Sequence, residues 1–139
     1  MTGGHGHVYF DSPGVATVSW DEHLQAVVVE WIGAATSAEF HGVLDAEVRA
    51  LQIHGAARLL ADCRRQREID PADLERGDRE WVPRAAAAGL KRFAVVLPSR
   101  RLAAIDLEDR LANVPHGMFE VGYFNTIEQA TRWLAQPMA

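Results

Sequence analysis

The sequence predicts a single α/β domain built on a mixed sheet of four to five strands. Two β-rich runs, separated by a short polar break, lie near the start of the chain and predict a leading hairpin. Behind them, segments with helical spacing alternate with short apolar runs, an order that favours parallel strands joined by helical crossovers. The length of 139 residues suits one such domain.

The hairpin is predicted from residues 15–20 (VATVSW) and 26–31 (AVVVEW), both rich in β-forming residues. Residues 8–10 (VYF) can add a short edge strand before the Ser12-Pro13-Gly14 turn. Residues 1–7 are rich in Gly and His, and we expect them to be mobile. The predicted domain therefore spans residues 8–137.

The first helix has a clear start and a clear end. Thr36 and Glu39 have the spacing of a capping box, and Gly55 is a suitable left-handed residue for the end. One helical face is apolar and consists of Phe40, Val43, Leu44, Val48 and Leu51. Residues 57–62 (ARLLAD) then predict a short buried strand.

The second half of the chain continues the alternation. Asp70-Pro71 predicts the start of a helix, and Pro83 within it predicts a kink or two short helices between residues 71 and 88. Residues 92–97 (RFAVVL) predict a buried strand, and residues 100–113 are compatible with a helix. A last strand at residues 119–124 and a helix capped by Thr126 complete the predicted order of β-β-α-β-α-β-α-β-α.

Composition excludes several classes of protein. The formal net charge is −5, which disfavours extended nucleic-acid binding, because phosphate recognition needs a clustered basic face. No apolar run approaches the roughly 20 residues that span a bilayer, and the first residues do not form a secretory signal. The single cysteine, Cys63, cannot form an internal disulfide, which fits a cytoplasmic location. No motif for a metal or an organic cofactor is present, and His5-x-His7 lacks partner ligands at suitable spacing.

Five local features, taken in order, resemble the STAS family, in particular its SpoIIAA-like branch, over about residues 8–135. They are the hairpin ending in VVVEWIG, the Glu39-Phe40 opening of the first helix, the strand ending in LLADCR, the segment WVPRAAAAGLKRFAVVLP, and the ending with Phe124, Thr126, Ala130, Trp133 and Leu134. The resemblance implies a small bacterial regulatory domain with no catalysis of its own. It also implies a fold similar to lipid-carrying CRAL-TRIO domains, and hence an apolar ligand as an alternative to a protein partner.

One position departs from the family pattern. Some STAS proteins bind a partner kinase and are switched by phosphorylation of a serine just after the third strand, and here Cys63 takes the place of that serine. Because cysteine does not support ordinary serine phosphorylation, we expect no phosphorylation switch. A catalytic thiol needs a nearby base, and no histidine lies close to Cys63 in sequence.

The predicted binding site lies where the two central parallel strands end. The carboxyl ends of parallel strands emerge at one edge of a sheet, where ligands of open α/β folds bind. The predicted site residues are Asp62, Cys63, Arg64, Arg65, Trp81, Ser99 and Arg100. The arginines favour an anionic group or an acidic partner surface, and Trp81 can supply an apolar wall or pack in the core.

Three functions follow from these observations. The first is a non-enzymatic regulatory domain that binds a protein partner or a small apolar or anionic ligand. The second is a small thiol-dependent enzyme that uses Cys63. The third is a purely structural dimerisation module, in which the chain forms a homodimer.

Overall fold

The structure is a computed structural model that describes residues 5–67, 69–98 and 118–137. It confirms the α/β class and the mixed sheet. Six strands form one sheet in the order β1-β2-β3-β4-β5-β6. The strands are β1 (His5–Ser12), β2 (Ala16–Asp21), β3 (Ala26–Trp31), β4 (Arg58–Asp62), β5 (Arg92–Val96) and β6 (Glu120–Phe124). The helices of the described ranges are α1 (Ser37–His54), α2 (Pro71–Ala87) and α3 (Ile127–Leu134).

The sheet has an antiparallel half and a parallel half. Strands β1, β2 and β3 pair antiparallel in succession, and β3 to β6 pair parallel. The predicted hairpin of β2 and β3 is confirmed with an unbroken register from Ala16↔Trp31 to Asp21↔Ala26. Because β3 to β6 run the same way, their carboxyl ends lie along one edge of the sheet.

The count of six strands exceeds the predicted four to five. The difference arises at the start of the chain, where β1 is a full strand of eight residues that begins at His5, inside the segment expected to be mobile. Its register against β2 shifts between His5 and His7 and again between Val8 and Phe10. Such irregularities break the alternation of apolar and polar residues by which a strand is recognised in sequence.

Helix α1 begins and ends as the sequence predicts. The Thr36 side chain accepts a hydrogen bond from the Glu39 amide, the Glu39 carboxylate accepts one from the Thr36 amide, and Gly55 is left-handed at φ 56°. Phe40, Val43, Val48 and Leu51 of the predicted apolar face are buried, whereas Leu44 is partly exposed.

Helix α2 starts at Pro71, with Asp70 accepting a hydrogen bond from the Ala72 amide. It continues through Pro83 to Ala87, so the alternative of two short helices is wrong. Pro83 is exposed, and so is Arg79, whose carbonyl loses its intrahelical donor. Water can satisfy that carbonyl, which lets the helix pass through the proline.

The helices lie on both faces of the sheet. Alternate residues of β4 belong to different clusters: Leu59 and Ala61 pack with α1 and α2, whereas Leu60 packs with Ala130 and Leu134 of α3. The larger cluster therefore lies between the sheet and the α1–α2 pair. The predicted helix at residues 100–113 lies outside the described residues.

No helix of the described ranges is long and apolar enough to cross a membrane.

Candidate functional site

A cavity lies between the sheet and the α1–α2 pair. Its floor is on β4, where Ala61 pairs with Val29 on one side and Val95 on the other. Cys63 follows the end of β4 and also lines the cavity. The cavity volume is about 50 Å³, and the empty space reaches about 500 Å³ when the open solvent at the mouth is included. Ala61 is smaller than Trp31 of β3 and Phe93 of β5, which also line the space.

Aromatic rings form the walls of this cavity. Trp31 of β3 contacts Phe40 of α1 with ring centres 5.6 Å apart, and both residues line the space. Trp81 of α2 contacts Phe93 of β5 at 5.4 Å, and both of these also line it. All four side chains are buried. Apolar walls with a few polar groups are typical of a small-molecule site.

Glu47 of α1 is the most unusual residue of the cavity. Its side chain lines the space and is only 2% exposed. Within the described ranges, no hydrogen bond or ion pair holds its carboxyl group. Burial raises the pKa of Glu47 well above its ordinary value, because the interior disfavours the charged form. The folded protein thus holds a carboxyl group that favours its protonated state.

Trp81 brings a second polar group to the same place. Its Nε1 is buried and donates no hydrogen bond to any group in the part of the chain that the structure describes. The indole is only 5% exposed and also contacts the ring of Phe119. The two alternatives raised by the sequence therefore coexist, since Trp81 packs in the core and lines the cavity at once. A buried donor without a partner is destabilising unless a ligand or water accepts its hydrogen bond.

Gly77 sets the close approach of the two helices at the cavity. A Cβ atom at this position would lie 2.9 Å from both Leu44 Cδ1 and Phe40 Cε2. Since Leu44 and Phe40 both line the cavity, the absence of a side chain at Gly77 determines how far they extend into the space.

The profile of the SpoIIAA-like family matches residues 26–135, most of the chain. This chain belongs to the SpoIIAA-like family. A solved structure from Shewanella loihica, an uncharacterized protein with a SpoIIAA-like fold, is 17% identical in sequence. The alignment covers 86% of this chain and 92% of that protein, with a TM-score of 0.54, and shows likeness of fold. No curated protein matches the sequence.

The SpoIIAA-like domain places Asp62 and Arg64 in a contact with each other. Arg64 Nε and Nη2 donate to the two Asp62 carboxylate oxygens at 3.0 and 2.9 Å, and the Arg64 amide donates to Asp62 Oδ1 at 3.1 Å. The hydrogen bond from Arg64 to Asp62 raises the pKa of the arginine. Neither residue lines the cavity, and Arg65 is exposed beside them.

The carboxyl ends of β4 and β5 lie side by side, as the sequence predicts. The Cys63 amide donates to the carbonyl of Val96 at 3.0 Å, which continues the pairing one residue past the end of β4. Ser99 and Arg100 lie outside the described residues. A recognition surface shared by these residues and the loop after β4 stays a prediction.

Sequence reasoning missed Glu47, although the sequence contained a signal. Glu47 lies seven residues after Phe40 and four after Val43, on the helical face that was predicted to be apolar. Glu47 is therefore an ionisable residue at a position where burial is expected. Glutamate is almost never fully buried without a partner, so such a position is a signal of an unusual site. Among the described residues, no group of three or more potential ligands could hold a metal ion.

Proposed function

We propose that this chain is a non-enzymatic SpoIIAA-like regulatory domain that holds a small apolar ligand between its sheet and the α1–α2 pair. The observation that carries the proposal is the open cavity with four buried aromatic residues on its walls. Two helices of the domain, α1 and α2, contribute residues to the walls, so an occupant would contact both. The single cysteine, Cys63, favours the cytoplasm as the compartment in which the domain works.

The charges argue for an apolar ligand over an anionic one. Among the described residues that line the cavity, the acidic side chains are Glu47 and Asp78, and there is no lysine or arginine. Arg64, which the sequence suggested for an anion, is paired with Asp62 instead. An anion in the cavity would therefore lie near carboxyl groups and would find no lysine or arginine among the described lining residues.

The test is calorimetric titration with para-tert-butylbenzyl alcohol, an uncharged aromatic probe. We expect saturable binding to the wild-type protein. Ala61→Leu adds a larger side chain to the floor of the cavity and should weaken binding by about tenfold or more. The matched control is Ala87→Leu, which adds the same atoms at an exposed position of α2 and should leave binding unchanged.

A second variant is needed because Ala61→Leu overpacks the core, which costs about 1–3 kcal/mol and could prevent folding. Leu44→Trp enlarges a partly exposed side chain of the cavity wall and should also block the probe. Equal binding to the wild-type protein and to both blocked variants would exclude the cavity. Absence of binding to the wild-type protein would remove the ligand proposal and leave a protein partner or a homodimer as the function.

The competing class, a thiol-dependent enzyme, is tested at Cys63. Its thiol is 3% exposed, and the described residues lining the cavity include no histidine that could act as its base. We expect iodoacetamide to alkylate Cys63 more slowly in the folded protein than in the same protein unfolded by urea. Alkylation faster than that of free cysteine would indicate an activated thiolate and favour the enzyme.

A further inference from the structure

We propose that the cavity selects apolar ligands that carry a positively charged ammonium group, with Glu47 as the counter-charge among the aromatic rings. This inference rests on the proposed function and adds the chemical class of the ligand. Three independent features of the described residues support it: the sign of the charged groups, the chemistry of the walls, and buried polar groups that lack partners.

The titratable groups that line the cavity in the described ranges can be neutral or negative, and none of them can be positive. Glu47 is contributed by α1 and Asp78 by α2, and the described lining contains no lysine or arginine. The whole chain has a formal net charge of −5, which attracts cations over longer distances. A cationic ligand is the class that this distribution favours.

The walls suit a cation as well as an apolar body. The faces of aromatic rings carry partial negative charge and attract ammonium groups, most strongly where water is excluded. Here Trp31 and Phe40 contact each other, as do Trp81 and Phe93, and all four rings are buried. Clusters of aromatic residues are a known arrangement for binding quaternary ammonium ions.

Two buried polar groups of the cavity, on Glu47 and Trp81, have no partner in the described part of the chain. The Glu47 carboxyl is more than nine-tenths buried without a hydrogen bond or ion pair, so it can serve as the partner of an ammonium group. Trp81 Nε1 is a buried donor without an acceptor, and it favours a hydrogen-bond acceptor, such as a hydroxyl, elsewhere on the ligand. An ammonium group near Glu47 would stabilise its ionised form and offset the burial that raises its pKa. The other titratable side chains that line the cavity are Cys63, which follows β4, and Asp78 of α2.

The experiment compares three probes of nearly equal shape by calorimetry at neutral pH. They are para-(trimethylammonio)benzyl alcohol, the uncharged para-tert-butylbenzyl alcohol and the anion para-(hydroxymethyl)benzoate. We expect the ammonium compound to bind about tenfold tighter than the uncharged one, and the anion to bind weakest. The ammonium compound and the tert-butyl compound differ only in the central atom of the para substituent, which is nitrogen in one and carbon in the other. Neither compound titrates near neutral pH, so a difference in their affinities reports the positive charge.

Glu47→Gln should remove the advantage of the ammonium compound and leave the affinity for the uncharged alcohol within about twofold. The matched control is Glu75→Gln, which removes the same charge from an exposed position of α2 and should keep the advantage. In the wild-type protein, affinity for the ammonium compound should rise as pH increases from about 5 to about 8, because ionised Glu47 binds the cation. Affinity for the uncharged alcohol should not rise.

The outcomes separate this inference from the proposed function. If the uncharged alcohol binds in a manner blocked by Ala61→Leu, and the ammonium compound binds no tighter, the cavity stands and the ammonium class is wrong. Retention of the ammonium advantage in Glu47→Gln would also overturn the role of Glu47. If none of the probes binds, both the cavity and the inferred class fail.

Discussion

Glu47 is a buried carboxyl-bearing residue that also lines the cavity. It occupies a position on the buried face of α1 where an apolar residue would stabilise the fold. Its carboxyl group is instead left without a partner in the described part of the chain, beside an open cavity. The position of Glu47 on that face could be inferred from helical spacing. Its lack of a partner could not be inferred, because it depends on residues of β3, β4, β5 and α2.

The burial of Glu47 predicts a pH-dependent stability. Its pKa is raised in the folded state, so the folded protein binds more protons than the unfolded one above about pH 4.5. The stability contributed by the protonated group is fully present at lower pH and is lost as pH rises through the folded pKa. Glu47→Gln should therefore stabilise the protein more at about pH 8 than at about pH 4, because glutamine has no proton to lose.

Urea denaturation of both proteins across this pH range measures the difference. Glu75→Gln is the control, since its side chain is mostly exposed and its replacement should not change the pH profile. A stability difference between Glu47→Gln and wild type that is the same at both pH values would show that Glu47 is not held protonated.

Asp62 and Arg64 illustrate a different limit of sequence reasoning. Both were predicted as site residues because of their position at the end of a strand, and the structure places Asp62 last in β4 and Arg64 two residues beyond it. Sequence spacing alone could not show that the guanidinium folds back onto the nearly buried carboxylate two residues earlier. The pair closes the loop after β4, and we expect it to contribute to stability.

Arg64→Ala should lower the free energy of unfolding by about 1 kcal/mol, because Asp62 loses two hydrogen bonds while keeping that of the Arg64 amide. Arg65→Ala is the matched control, since Arg65 is exposed, and should change stability by less than about 0.5 kcal/mol. Chemical denaturation gives both values. Equal effects of the two substitutions would argue against the importance of the pair.

Elements with local signals were predictable, and those that depend on distant residues were not. The ends of α1 follow from Thr36, Glu39 and Gly55, whose interactions lie within a few residues along the chain. The extent of β1 depends on its irregular pairing with β2, which sequence alone does not reveal. The continuity of α2 through Pro83 depends on which side of the helix faces water.

The capping box of α1 allows a test of whether a local hydrogen bond stabilises this helix. Thr36→Ala removes the hydroxyl that accepts from the Glu39 amide and should destabilise the protein by about 1 kcal/mol. Thr36→Ser keeps the hydroxyl and should restore most of the stability. Thermal and urea unfolding measure both variants. If Thr36→Ser were as unstable as Thr36→Ala, the hydrogen bond would not be the source of the effect.

At the scale of the whole molecule, the cavity is a product of sheet register. Ala61 on β4 lies between Val29 and Val95, while Trp31 and Phe93 stand on the neighbouring strands. The order of the strands and helices predicted the sheet and the edge at which β4 and β5 end. It could not predict a cavity, because that requires knowing which side chains from separate strands and helices meet above Ala61.

The most direct test of the ligand proposal is a crystal structure of the protein soaked with para-tert-butylbenzyl alcohol. We expect electron density for the probe between the aromatic rings of Trp31 and Trp81, above Ala61. We also expect the same density to be absent from crystals of Ala61→Leu. Density for the probe only at other surfaces, or an undisturbed cavity at a probe concentration that saturates binding in solution, would contradict the account.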